Sequence, residues 1–184
     1  MKMLKQFSGR GIVILPVAAL AAASAPAHAA TQGSIGATST GSVVITATVP
    51  NRALITSLSD VNFTNADPSV AATSSQGPCV WSNTSTRNYT ITASGSGSAG
   101  AFTIASGTSV IPYSVGWANS ANATSLTSLT AGSASSALAS NATNISCGGT
   151  GNSTLKVTIG ASDLQNMVAT NSYTGTLTLV VTPQ

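Results

Sequence analysis

Apolar side chains recur at every second position in one short run after another, and helical spacing is confined to one brief stretch. Period-two alternation puts successive side chains on opposite faces of an extended strand. The opening run is Ser42-Val43-Val44-Ile45-Thr46-Ala47-Thr48-Val49, stopped by Pro50. Val43, Ile45, Ala47 and Val49 share one face, and β-branched residues fill both, so the run predicts a strand. The closing run spans Ser172 to Gln184, with Tyr173, Gly175, Leu177, Leu179 and Val181 on one face. Between them, strands are expected at Asn88–Ala93, Ala101–Ala105, Ser109–Trp117, Asn144–Cys147 and Ser153–Ile159. Pro112 has no N–H to donate and marks an edge or a bulge. Leu54-Ile55, Val61, Phe63 and Cys79-Val80-Trp81 are shorter apolar pieces. Leu126–Thr143 reads as loop with one short strand, and Ser162-Asp163 suits the start of a helical turn carrying Leu164, Met167 and Val168. About eight short strands, regular turn signals and no long helix predict an all-β chain, an immunoglobulin-like β-sandwich.

The first 29 residues have the form of a bacterial secretory signal. Lys2, Lys5 and Arg10 precede an apolar run from Ile12 to Ala23, and Ala27-His28-Ala29 fits the small-x-small cleavage pattern. Cleavage after Ala29 and after Ala30 are equivalent on this pattern. Of six Lys and Arg, those three leave with the signal, so Arg52, Arg87 and Lys156 face Asp60, Asp67 and Asp163 in a formally neutral mature chain. No basic patch remains to bind nucleic-acid phosphates. About 155 residues then suit one domain: a Gly/Ser/Thr arm at 30–41, the strand at 42–49, and a sandwich at 50–184.

Cys79 and Cys147 are the only cysteines. Export to an oxidising compartment and an even count predict that they pair, as a structural staple between strands. The bond would close a 68-residue span and stabilise the fold by about 4 kcal/mol in the chain-entropy picture.

Enzymatic chemistry has little to draw on. The mature chain has no His, since His28 belongs to the signal, and it has no Glu, three scattered Asp and one Lys. Acid–base work needs a tuned His, carboxylate pair, Lys or Tyr, and no serine has a visible activating base. Metal-ligand spacing and phosphate-binding Gly motifs are missing too, so no catalytic residue, metal or cofactor is expected.

With both ends read, the chain resembles a chaperone–usher fimbrial subunit, a pilin. The resemblance rests on the signal, the alternating strand Val43–Val49 before a Pro, a single disulfide-bearing sandwich, and the closing strand Ser172–Val181 with Tyr173 and Gly175 near its start. The N-terminal run is most similar to the alpha, colonisation-factor class. The arm is longer than in that class and a disulfide is not general to it, so the archaic, spore-coat U-like class is the alternative. The resemblance implies a sandwich that lacks its last strand. A periplasmic chaperone strand first fills the groove, and a neighbouring subunit's N-terminal strand then replaces it at the outer-membrane usher. On that reading Val43, Ile45, Ala47 and Val49 are the donor side chains. Tyr173, Leu177, Leu179 and Val181 line the acceptor groove, and the carboxylate of Gln184 anchors the chaperone. Partners would be identical or related subunits, the chaperone, the usher and a host or surface receptor, with the fibre displayed on the bacterial surface.

Alternation by itself favours an ordinary first strand paired inside its own sheet, and it is the arm, the Pro50 break and the pilin-like C-terminus that turn the reading to a donor strand. A monomeric secreted binding module, of lectin or adhesin type, is the second functional reading, with Trp81 and Trp117 as its only large aromatic candidates. Export predicts a mature N-terminus at Ala30 or Thr31, read by intact-mass spectrometry of secreted protein; an unprocessed Met1 would contradict it.

Overall fold

The computed structural model describes residues 29–184. The expected signal, except for its last residue, lies outside the described residues. The chain divides into two units, one ending at Thr48 and the other running from Val49 to Gln184.

In the first unit Thr31 and Ser42 exchange two backbone hydrogen bonds, of 2.9 and 3.0 Å. The Gly/Ser/Thr segment between them therefore closes on itself as a loop. Residues 43–49 form no ladder among the described residues. Their sequence is that of a strand, but an extended segment becomes a strand only when its backbone groups find a partner.

The second unit is all-β with one short helix. Its strands are β1 (Ala53–Thr56), β2 (Ala72–Gln76), β3 (Cys79–Ser82), β4 (Asn88–Gly95), β5 (Thr103–Ser106), β6 (Ser109–Pro112), β7 (Ser114–Ala118), β8 (Thr127–Ser128), β9 (Leu138–Ala139), β10 (Thr154–Ile159) and β11 (Leu177–Pro183). Helix α1 (Ala161–Gln165) follows β10. One sheet runs β2-β10-β7-β8 and another β11-β4-β9, while β1-β3 and β5-β6 pair separately. The inward residues of β4 (Tyr89, Ile91, Ala93) meet those of β7 and β10 (Val115, Trp117, Leu155) in one core with Val80 and Leu129. Aromatics are few, so the interior rests on aliphatic side chains around a single Trp–Tyr pair. Trp117 Nε1–H donates to Tyr89 Oη at 3.3 Å, and burial pushes the Tyr89 phenol up.

Local chemistry accounts for several departures from the sequence reading. The expected strand 109–117 is two strands. Tyr113 leaves the β5–β6 pair, where its N–H donates to Phe102 O at 2.9 Å, and the chain then enters the β10 sheet as β7. The expected strand 144–147 is a turn. Asn144 Oδ1 accepts hydrogen bonds from the Ser146 and Gly148 amides at 3.1 and 3.0 Å, a local solution that outcompetes a ladder. Strand β2 (Ala-Thr-Ser-Ser-Gln) carries no apolar alternation, and β10 alone pairs it. The closing strand begins at Leu177 rather than Ser172, because Thr174 bridges to Ala105 instead.

Cys79 and Cys147 are bonded, with Cα atoms 5.9 Å apart. The bond joins β3 to the single-turn 3₁₀ segment Cys147–Gly149, so it ties a strand to a loop rather than strand to strand. Asn152 completes the same attachment from inside. Its Oδ1 accepts from the Val80 amide and its Nδ2 donates to Val80 O, both at 2.8 Å. One buried side-chain amide thus stands where a neighbouring strand would otherwise pair with β3. Gly151 permits the close approach, since a Cβ there would lie 1.9 Å from Gly77 O.

Removing a buried amide that satisfies two backbone groups costs about 2–4 kcal/mol. Asn152→Ala should lose that much in equilibrium denaturation, and reduction of the disulfide about 4 kcal/mol. Losses below about 0.5 kcal/mol would contradict the assignment of these groups as the ties that hold β3.

Candidate functional site

The C-terminal strand is placed by a seven-residue antiparallel ladder to β4, from Leu177 opposite Gly95 to Pro183 opposite Tyr89. Gly175 makes the entry possible, because a Cβ there would lie 2.6 Å from Thr103 O. Beyond β11 the sheet stops: among the described residues no strand pairs with its other edge. Strand β1 comes within 8 Å of β11, Cα to Cα, yet no ladder joins them.

Burial records the same opening. Tyr89, Ile91 and Ala93 on β4 are fully buried. Leu177, Leu179 and Val181 face the same core from β11 and are only half-buried. Ile55 on β1 is also half-buried against that core. The apolar interior is therefore sealed at β4 and incompletely covered between β11 and β1. Seating a strand between two others needs about 9–10 Å, twice the ladder spacing. Strand β1 would have to move outward by at least about 1.5 Å to admit one.

Of the expected groove residues, Leu177, Leu179 and Val181 lie together on this edge. Tyr173 does not join them. It packs with the separate cluster around Ile111, Ile159 and Leu164, and its Oη takes the Val168 amide and Ser109 Oγ as partners, each at 3.0 Å. Gln184 is exposed, and its N–H donates to Asn88 O at 2.9 Å, so the C-terminus ends in register with β4. Of the expected donor residues, Val43, Ile45 and Val49 are 72%, 88% and 74% exposed, and Ala47 is exposed as well. Trp117 is core, and Trp81 is half-buried on β3.

Two contributors escaped the sequence reading. Ile55 was visible only as part of an apolar pair with Leu54, too short to announce a strand. Asn83 carries no sequence signal, yet it holds the segment leading into β1. Its Oδ1 accepts from the Arg52 amide at 2.6 Å, its Nδ2 donates to Pro50 O at 2.9 Å, and its own N–H donates to Arg52 O at 3.1 Å.

Elsewhere a cavity of about 300 Å³ beside the disulfide is lined by Asn141, Asn144, Cys147 and Asn152, among others. It contains no acid, base or free thiol. Among the described residues no three His, Cys, Asp or Glu side chains come together as metal ligands. No family model matches the sequence, and no curated protein matches it significantly.

Half-burial at β11 gives a graded expectation. Ile91→Ala should cost about 3 kcal/mol in the isolated chain and Leu179→Ala about 1 kcal/mol, because less is desolvated at the edge. Equal losses in denaturant titrations would mean that β11 is sealed.

Proposed function

We propose that this chain is a structural subunit of a bacterial surface fimbria. In this reading it is exported through the periplasm, folded with a chaperone and polymerised at an outer-membrane usher by donor-strand exchange, and the fibre supports adhesion or biofilm formation. The observation that carries the reading is a pair of unmet requirements in one chain. Residues 43–49 have the sequence of a strand and no ladder among the described residues. Strand β11 has a half-covered apolar face and an unpaired edge.

Each requirement answers the other. An exposed strand edge recruits any extended segment that offers alternating apolar side chains. Val43, Ile45 and Val49, with Ala47 between them, would fill the opening beside Leu177, Leu179 and Val181. Burial of the β-branched side chains contributes on the order of 5–8 kcal/mol from area alone, and each backbone hydrogen bond adds to it. The donor lies at one end of the chain and the acceptor strand at the other. Joined between copies, they make a head-to-tail contact that need not close, which produces a filament.

An unheated denaturing gel tests this directly. Protein expressed with its cognate chaperone and usher should run as a ladder that collapses to monomer when residues 31–49 are deleted. Stable monomers in both lanes would instead support a monomeric surface-binding module.

A further inference from the structure

A donor strand that ends four residues before β1 raises a difficulty. The opening it would fill in another copy also lies beside its own β1. A hairpin with 50–52 as a three-residue loop would fold 42–49 back onto β1 and close the subunit on itself. We infer that Asn83 prevents this closure, acting as a positioning residue that commits the donor strand to a second copy of the chain. The inference rests on the fibre reading above.

The geometry is specific to one edge. Strand β3 occupies one edge of β1, from Ala53 opposite Ser82 to Thr56 opposite Cys79. A returning strand must take the other edge. Asn83 follows β3 directly, and its backbone N–H extends the pairing to Arg52 O. Its side chain then captures the Arg52 amide and, two residues on, the Pro50 carbonyl. The first and last of the three residues that would have to form the hairpin loop, Pro50 and Arg52, are thus fastened on the β3 side. Reversal farther up the arm would place Thr46–Val49 in the turn and remove them from the strand.

The test compares the mature chain with Asn83→Ala and Asn83→Asp. Aspartate keeps an oxygen for the Arg52 amide and loses the donor to Pro50 O. Each protein is refolded at low concentration and treated with elastase, which trims accessible Val and Ala segments. Intact mass reports trimming of the arm, and native mass spectrometry after concentration reports assembly. The wild-type monomer should lose its arm quickly and assemble. Asn83→Ala should keep its arm about tenfold longer and assemble about tenfold less, the shift expected from losing two neutral hydrogen bonds. Asn83→Asp should fall between them. A thermal melt confirms that each variant folds, and Asn83→Asp alone decides the matter if Asn83→Ala does not. Trimming of the variants at the wild-type rate, whatever their assembly, overturns the role of Asn83. If that occurs with normal assembly, the fibre reading is untouched. If the wild-type protein does not assemble at all, with or without chaperone and usher, both fall together.

Discussion

The ladder between β4 and β11 determines how the rest of the second unit is finished. It brings the last strand of the chain against the most deeply buried one, so Leu177, Leu179 and Val181 extend the face begun by Tyr89, Ile91 and Ala93. A strand so placed has a second edge, and an edge offers unpaired backbone groups as well as apolar side chains. Small β-proteins usually cover such an edge with another strand of their own. Here β1 comes near without pairing, and the interior remains half-covered along that line.

The opposite side of the same layer is closed by other means. Strand β3 has only β1 as a ladder partner, yet its free side is not left unsatisfied. Asn152 pairs with both backbone groups of Val80, Ser140 Oγ donates to Val80 O at 2.7 Å, and the disulfide fixes the neighbouring turn. All described buried side-chain polar atoms have partners. Side-chain groups thus satisfy the free side of β3, whereas the half-covered apolar edge of β11 has no such cover among the described residues. Asn83 belongs to the same economy of means, since one side chain fixes the direction in which the chain enters β1.

Legibility in the sequence followed the strength of alternation. Strands β4, β10 and β11 carry apolar residues at every second position on one face, and their existence and facing were readable. Strand β2 was not, because a Ser/Thr/Gln strand at a sheet edge has no apolar periodicity to read. The Asn144 turn misled for a related reason: Ile145 and Cys147 alternate, but the Asn144 side chain caps the local amides first. Tyr173 shares the alternation of β11 and still packs elsewhere, since its hydroxyl finds Ser109 and Val168. The shared face of Leu177, Leu179 and Val181 on β11 was legible from their alternation. Ile55 and Asn83 were hidden, because one lies in a four-residue strand and the other acts through geometry that only the folded chain defines.

Hydrogen exchange, measured residue by residue on isolated subunits and on their assembled form, tests the central claim most directly. Amides of 43–49 should exchange freely in the subunit. In the assembly they should become protected together with the free-edge amides of 177–183. Protection of 43–49 in the isolated subunit, or no gain at either segment on assembly, would contradict it.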